Sequence, residues 1–314
     1  MRMSDLNNPI SLMEDNKTLR AYHGTSSDKL STILSQGLKS SLGGGYGSDI
    51  KGDFNNRSKT PIGGVYVTED LNYARMAGKR MAVQNSANLV LIEIEVDSDD
   101  IVPDEDMVAN RLEAALAFNN PTNIFPIFQY WMNLKYLNTD KTEEIKDNII
   151  KSLRTVFSES MQDIDSNILL NYALHYYERK VSYLNQSNQT KTMDSIETIA
   201  KFGTNQFETN DEVKEFTESV INNIPTSVQV EKNYLNQLDI MTRKLKNIIQ
   251  SSSGRGNFRI PQDVGFNGST KILSIVEEQK DDEVKYIIHY GKPSDEMKRG
   301  IESFIGKNVE FLKH

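Results

Sequence analysis

Strand-forming segments stand at the two ends of this chain, and a long stretch with helical periodicity separates them. Strands are predicted at residues 19–23, 65–68 and 89–96 near one end, and at 257–260, 271–277 and 284–290 near the other. Each end alone offers too few strands to close a core. The sequence therefore predicts one α+β core, residues 18–120 and 251–314, split by a large α-helical insertion at residues 121–250.

Apolar and aromatic residues recur every three or four positions through the insertion, for example at 145–157, 168–184 and 228–249. This period predicts five to seven helices. Residues 1–17 are polar and show no period, so they are predicted to form a flexible amino-terminal arm or one short helix.

Charge is distributed unevenly along the chain. The net charge of −8 over 314 residues argues against a nucleic-acid binder with a dominant basic face. Between residues 17 and 80, however, ten Lys and Arg face five Asp and Glu, and this excess favours an anionic ligand near that segment.

Several classes of protein are disfavoured by what the sequence lacks. Without cysteine there is no disulfide, thiol nucleophile or zinc–cysteine site. The four histidines have no metal-binding spacing, and no Walker loop or HExxH motif occurs, so no metal is expected. No signal peptide and no run of 18 apolar residues is found, which predicts a cytoplasmic protein without a membrane partner.

The residues with the most chemical promise are His23, Gly24 and Tyr66. A glycine lets a ligand pack against main-chain N–H and C=O groups, and the adjacent imidazole can bond a ribose hydroxyl. Tyr66, at the end of a predicted strand, offers a flat face on which a ring can stack. None of these groups is a strong nucleophile, so the set suits orienting a nucleotide and stabilising charge.

Three segments together resemble the H–Y class of ADP-ribosyltransferases, which includes the poly-ADP-ribose polymerases, diphtheria-type toxins and RNA 2′-phosphotransferases. They read YHGTS at 22–26, ILSQGL at 33–38 and GVYVTED at 64–70. Their order and spacing match the family, and the resemblance covers residues 19 to about 106 directly. It implies a split antiparallel β-sheet and NAD as substrate.

The resemblance also implies roles for individual residues. His23 would bond the ribose next to nicotinamide, Gly24 would hold the carboxamide through its main chain, and Tyr66 would stack on the nicotinamide ring. Some members carry a second stacking tyrosine eleven residues later, a position that is Ala77 here. The nicotinamide ring would then be stacked on one face only, or Tyr73 would take the place of the second tyrosine.

Other contacts to NAD are expected from residues within and beside the first motif. Thr25 and Ser26 can bond the adenosine ribose. Arginine suits bidentate contacts to a pyrophosphate, and Arg20 is preferred because it lies on the same strand as His23. Further arginines that could serve are Arg57, Arg75, Arg80 and Arg259.

The third family element, a glutamate at the start of a later strand, falls on Asn257. Asparagine can bond a hydroxyl but cannot act as a carboxylate base. Three alternatives stay open: Asn257 only orients, a carboxylate from elsewhere serves, or the acceptor needs little activation. The candidate carboxylates are Glu69, Asp263 and Glu105.

The sequence thus leads to an expected ADP-ribosyltransferase that cleaves NAD at the nicotinamide–ribose bond and modifies a macromolecule. A nucleic-acid acceptor is slightly favoured over protein, because the segment around His23 is basic. Such chains resemble bacterial or phage effectors, including mRNA-modifying toxins of anti-phage toxin–antitoxin systems, so the insertion is expected to select the acceptor or bind an antitoxin or regulatory protein. The alternatives are an NAD glycohydrolase, an RNA 2′-phosphotransferase and a non-enzymatic NAD-binding module.

Overall fold

The chain divides into two compact units in a computed structural model. The sheet unit comprises Met1–Asp104 and Ile249–His314, and the helical unit comprises Glu105–Ile248. The structure describes residues 18–40, 62–117, 125–137, 141–157, 161–245, 256–278, 286–305 and 311–313. The arm predicted at residues 1–17 and Arg57 lie outside these residues.

Strands and helices alternate at first, and a run of helices then separates the early strands from the late ones. In chain order they are β1 (Thr18–Ser26), α1 (Leu30–Gln36), β2 (Val65–Thr68), α2 (Leu71–Gln84), β3 (Leu89–Asp97), β4 (Val102–Pro103), α3 (Glu105–Ala117), α4 (Phe125–Met132), α5 (Lys141–Val156), α6 (Ser166–Ser187), α7 (Gln189–Gly203), α8 (Asn210–Asn222), α9 (Ser227–Lys244), β5 (Asn257–Ile260), β6 (Lys271–Glu278), β7 (Tyr286–Tyr290), α10 (Asp295–Ile305) and β8 (Phe311–Lys313). The predicted α+β class is therefore confirmed.

All eight strands belong to one sheet, in the order β4-β5-β2-β1-β3-β6-β7-β8. Neighbouring strands are antiparallel, except that β8 runs parallel to β7. The late strand β5 pairs with the early β2, and β6 pairs with β3. Both ends of the chain thus contribute to the same sheet.

The sheet buries both of its faces. On one face α1 packs beside a cluster that includes Ala21, Val67 and Ile92. On the other face, residues of α2 and α10 join Tyr22 and Leu91 in a second cluster. Side chains alternate between the two faces along a strand. The strand residues in these two clusters therefore show on which face the side chains before and after them lie.

The structure divides the chain before helix α3, whereas the sequence predicts that the first half of the core extends to residue 120. This helix belongs to the helical unit. Its buried side chains include Val108, Leu112 and Leu116, and they follow the helical period. The sequence shows that α3 has an apolar side, but it does not show which of the two units that side packs against.

Two short strands, β4 and β8, were not predicted. They contain two and three residues, too few to show an alternating pattern. β4 occupies an edge of the sheet beside β5, which is where a strand tolerates Pro103.

The helical unit contains seven helices, α3 to α9, among its described residues. The only tryptophan of the chain, Trp131, is fully buried in α4. Tyr172 and Tyr234 are also buried, and the Tyr234 hydroxyl donates to Glu113 Oε1 at 2.7 Å. No helix in the described ranges has the length and apolar character needed to cross a membrane.

Candidate functional site

The candidate site lies where β1 separates from β2. β2 pairs with β1 at Thr68 and Tyr22, and no second pair joins the described parts of these strands. The same register, continued, would place Tyr66 opposite Gly24. β1 nevertheless stays paired with β3 as far as Ser26. A gap, the β1–β2 opening, therefore begins after Tyr22.

The main-chain polar groups of Gly24 face the β1–β2 opening. Ser27 N–H donates to Asn88 O at 2.9 Å, and hydrogen-bonded pairs alternate along an antiparallel ladder. Odd-numbered residues of β1 therefore bond to β3, whereas the N–H and C=O of Gly24 point toward β2. A planar carboxamide in the opening can accept a hydrogen bond from the Gly24 N–H and donate one to the Gly24 C=O.

The imidazole of His23 crosses the β1–β2 opening. Its Nδ1–H donates to the Tyr66 carbonyl oxygen at 2.8 Å, since a carbonyl can only accept. Burial lowers the pKa of His23, although the hydrogen bond to Tyr66 acts in the opposite direction. In the neutral ring Nε2 is then an acceptor, and it can accept a hydrogen bond from a ribose hydroxyl.

The side chains of Tyr66 and His23 project from opposite faces of the sheet. Val65 and Val67 belong to the same cluster as Ala21, so Tyr66 points to the α2 side and His23 does not. The Tyr66 hydroxyl donates to Ile62 O at 2.9 Å. The two predicted site residues thus meet through the Tyr66 carbonyl, and stacking of a ring on Tyr66 stays a prediction.

Helix α2 approaches Gly24 so closely that no larger residue fits. A Cβ atom on Gly24 would lie 1.8 Å from Ala74 O and 2.8 Å from Gly78 N. A Cβ atom on Gly78 would in turn lie 2.8 Å from Thr25 N. Gly24 is therefore required for the packing of α2 on β1, in addition to any contact that it makes with a ligand.

Strand β5 brings the third predicted element to the neighbouring position in the sheet. Asn257 pairs with Thr68, and Arg259 pairs with Tyr66. Phe258 and Ile260 face the α1 side, so Asn257 leaves the sheet on the same side as Tyr66. The strands that carry His23, Tyr66 and Asn257 are thus adjacent.

Of the two candidate carboxylates in the sheet unit, Glu69 is the one held beside Asn257. Its Oε2 accepts from Gly256 N–H at 2.9 Å, and its own N–H donates to Gly256 O at 2.9 Å. The Glu69 side chain is exposed, whereas Glu105 is fully buried in the helical unit. Asp263 lies past the other end of β5.

Asp263 instead ties two chain segments together. Its carboxylate accepts from Ser40 N–H at 2.8 Å and from Lys39 Nζ at 3.0 Å. The hydrogen bond from Ser40 is the main cause that lowers the pKa of Asp263. These contacts are consistent with a structural role for Asp263.

Arg20 and Arg259 are engaged within the protein. Arg20 Nη1 donates to Glu93 Oε1 at 2.7 Å, on the side of the sheet opposite His23. Arg259 is fully buried and donates through Nη1 to Gly63 O at 2.8 Å. A fully buried guanidinium cannot reach a bound pyrophosphate without rearrangement, so Arg259 is a poor candidate for that role.

Thr25 and Ser26 are buried. The Ser26 hydroxyl donates to Asp28 and accepts from Asn85 Nδ2, so it joins β1 to the segments that follow. Their predicted contact with the adenosine ribose stays a prediction.

The two α2 residues predicted to stack on nicotinamide differ in exposure. Tyr73 is 49% exposed, while Ala77 is partly buried. Their spacing of four places them on neighbouring parts of the helix surface.

Glu93 is a buried polar residue that the motif search missed. Besides the Arg20 contact, Oε2 accepts from Ser274 Oγ at 3.0 Å and from Ser294 N–H at 3.1 Å. This carboxylate links β1, β3, β6 and the start of α10. The available signal was an acid within a strand whose preceding residues are all apolar, because a buried charge requires partners.

Lowering the pH below about 6.5, the ordinary pKa of histidine, is expected to weaken the sheet unit through His23. Burial lowers the folded-state pKa, so the unfolded chain binds the proton first. Stability contributed by the neutral ring is complete above the unfolded pKa and is lost as the pH falls toward the folded one, by up to about 1.4 kcal/mol per pH unit. An NMR titration of the His23 C2–H resonance measures the pKa directly.

The matched control for this titration is His23→Gln, which keeps an N–H donor for the Tyr66 carbonyl and cannot titrate. Its stability should depend less on pH than that of the wild type between pH 7 and 5. A His23 pKa at or above the ordinary value would contradict the prediction.

Comparison of the chain with family models, with curated proteins and with solved structures finds no match.

Proposed function

We propose that the protein is an NAD-dependent ADP-ribosyltransferase whose sheet unit binds NAD at the β1–β2 opening. The observation that carries the proposal is that the main-chain edge of Gly24 faces this opening while His23 crosses it to the Tyr66 carbonyl. Adjacent β5 adds Asn257 on the side of Tyr66. The arrangement supports the finer proposal that the α+β fold is a split-sheet ADP-ribosyltransferase core.

The proposed reaction breaks the bond between C1′ of the ribose and the nicotinamide nitrogen. The bonding electron pair leaves with nicotinamide, and the ribose becomes positively charged and oxocarbenium-like. An acceptor O–H or N–H attacks C1′ and loses its proton to a carboxylate or to water. His23 Nε2 would accept from a ribose hydroxyl and Gly24 would hold the carboxamide, so the enzyme acts mainly by orientation and electrostatics.

The acceptor is proposed to be a macromolecule, with nucleic acid favoured over protein by the basic character of residues 17–80. The helical unit would select this acceptor or bind a regulatory protein such as an antitoxin. Its size supports such a role, because its described residues alone form seven helices. An effector or toxin, including one that modifies RNA, is the corresponding biological role.

Replacing His23 by alanine is expected to reduce nicotinamide release from NAD by about tenfold or more, because the ribose loses its hydrogen-bond partner. HPLC measures nicotinamide, and NAD labelled in the adenylate phosphate reports transfer to a cell extract. Treating the products separately with protease and nuclease identifies the acceptor class. Label that resists protease and is released by nuclease would assign nucleic acid.

The matched control is His289→Ala, since His289 is also partly buried and hydrogen-bonded, to Glu277 Oε2 at 2.7 Å on β6. Its activity should remain near that of the wild type. Equal losses in both variants would attribute the effect to destabilisation. Nicotinamide and free ADP-ribose without labelled macromolecule would instead assign an NAD glycohydrolase.

A second candidate, an NAD-binding module without transferase activity, is favoured by one observation. The residue at the start of β5 that pairs with Thr68 is the uncharged Asn257. Saturable NAD binding by calorimetry, with no nicotinamide released by the wild type or by a His23→Ala/Tyr66→Ala variant, would support this candidate and overturn the enzymatic proposal.

A further inference from the structure

Arg259 is a charged side chain in the interior of the sheet unit. It is 1% exposed and lies in β5, between Tyr66 of β2 and Val102 of β4. Burying a charge is costly, and replacing buried charged groups by apolar side chains of similar size often leaves stability unchanged. A requirement for stability alone therefore does not account for an arginine at this position.

The guanidinium of Arg259 reaches the segment 62–64, which leads into β2. Its Nη1 donates to Gly63 O at 2.8 Å. The side chain passes directly over Gly64, because a Cβ atom on that residue would lie 2.4 Å from Cγ and 2.8 Å from Cδ of Arg259. The absence of a side chain at position 64 thus lets the arginine approach the main chain of this segment.

Tyr66 holds the same segment from the same face of the sheet. Its hydroxyl donates to Ile62 O at 2.9 Å. Tyr66 and Arg259 are directly opposite each other on β2 and β5, and side chains at such paired positions lie on one face. These two side chains therefore bind the successive carbonyl groups of Ile62 and Gly63, an arrangement termed the carbonyl clasp.

The carbonyl clasp restricts the ring of Tyr66. The main chain of Tyr66 is fixed by the pairing of β2 with β5, and its hydroxyl is fixed by Ile62 O. Arg259 in turn holds Gly63, the residue next to Ile62. A ring that is ordered before its ligand arrives loses less conformational entropy on binding.

We propose that Arg259 is a positioning residue of the NAD site, which orders the Tyr66 ring for stacking on nicotinamide. This role rests on the proposed function, in which Tyr66 contacts NAD. The guanidinium stays buried and acts through the segment 62–64, whereas the pyrophosphate contact expected from the sequence would require it to leave the interior.

Arg259→Met removes the hydrogen bond to Gly63 O and keeps an unbranched side chain. Calorimetry should give a dissociation constant for NAD about three- to tenfold above that of the wild type, because the free ring is then ordered only on binding. KM should rise while kcat changes little, since stacking contributes equally to the ground state and the transition state. Arg259→Lys, which keeps a cationic donor without the guanidinium fork, should recover part of the affinity.

A double-mutant cycle separates positioning from general destabilisation. If Arg259 acts through the ring, Arg259→Met should lower NAD affinity in the wild type but not in a Tyr66→Ala background. Equal losses in both backgrounds would assign Arg259 a purely structural role. The matched control is Thr270→Val, at a buried position of the same unit where Oγ1 donates to Asp100 Oδ2 at 2.7 Å and accepts from Asp97 N–H at 2.9 Å. This variant should retain wild-type NAD affinity.

Tyr66→Phe tests the other half of the carbonyl clasp. It keeps the aromatic ring and removes the hydrogen bond to Ile62 O, so NAD affinity should fall, as in Arg259→Met. This variant also provides the test if circular dichroism shows that Arg259→Met is unfolded. Wild-type NAD affinity in Tyr66→Phe would contradict the ordering of the ring by the clasp.

NMR without NAD distinguishes failure of this role from failure of the proposed function. In protein with isotope-labelled tyrosine Cζ, the Tyr66 signal is the one that Tyr66→Phe removes, and Arg259→Met should displace it because the hydrogen bond to Ile62 O is disturbed. If the wild type binds NAD, an undisplaced signal or an unchanged NAD affinity in Arg259→Met would overturn the positioning role alone. A displaced signal in a protein that binds no NAD would overturn the NAD site, and with it this role of Arg259.

Discussion

Replacing Gly24 by alanine is expected to lower the free energy of unfolding of the sheet unit by about 3–5 kcal/mol. The new methyl group would lie 1.8 Å from Ala74 O and 2.8 Å from Gly78 N. Both contacts involve the main chain of α2, so no side-chain rotation can relieve them. The helix must move away from β1, and it then loses the packing of Leu71, Ala74 and Ala82 in the cluster on this face.

The measurement must report on the sheet unit alone. Trp131 lies in the helical unit, so tryptophan fluorescence follows the other half of the molecule. Hydrogen exchange of peptides from β1 and β3 is the suitable readout, because exchange resolves the stability of separate cooperative units. Faster exchange in β1 and β3, with α6 and α9 unchanged, is the expected pattern.

The matched control is Gly265→Ala, because a Cβ atom at Gly265 would have no neighbour within 4 Å. This change should leave exchange in β1 and β3 near the wild-type rate. Wild-type exchange in Gly24→Ala would contradict the packing of α2 against β1. If Gly24→Ala exchanges at the wild-type rate but has lost NAD binding, Gly24 acts on the ligand and not on the packing.

The strands were largely predictable from sequence because their signals are local. β2 consists entirely of strand-favouring residues and β5 contains Phe258 and Ile260; each follows a glycine, and the sequence predicts both with the observed bounds. The dual role of Gly24 could not be predicted in the same way. The HG pair indicates main-chain access, but the contact with Ala74 depends on how α2 folds back onto β1, about fifty residues later.

The candidate site shows the same division between local and long-range information. The order of the motifs indicated that His23, Tyr66 and Asn257 belong to one site, and the structure places them on three adjacent strands. It could not show that His23 meets the carbonyl of Tyr66 and not its ring, because this depends on where β1 and β2 separate. Arg20 illustrates a further limit. Its partner Glu93 lies on another strand, and a sequence motif does not reveal how two strands are aligned.

Glu69→Gln is expected to reduce the turnover of nicotinamide release by about 100-fold, or about 2.7 kcal/mol of transition-state stabilisation. This prediction rests on the proposed function. Breaking the nicotinamide–ribose bond creates positive charge, which uncharged Asn257 cannot offset. Glutamine retains an acceptor for Gly256 N–H, which donates to Glu69 Oε2 at 2.9 Å, and it removes only the charge.

Steady-state kinetics separate this loss from a binding defect. KM and calorimetric NAD affinity should change little in Glu69→Gln while kcat falls, because the charge is needed only in the transition state. Asp263→Asn is the matched control, since it neutralises the carboxylate held by Lys39 and Ser40, and it should retain activity.

Rescue by a carboxylate on the adjacent strand gives the sharpest comparison. Because Asn257 directly follows Gly256, to which Glu69 is bonded, Glu69→Gln/Asn257→Glu should recover part of the lost turnover. Asn257→Glu alone should gain little, since two neighbouring carboxylates repel each other and one of them is then held protonated. Unchanged turnover in Glu69→Gln would remove Glu69 from the reaction. A loss that Asp263→Asn reproduced would point to general electrostatics, because those two carboxylates share no partner among the described contacts.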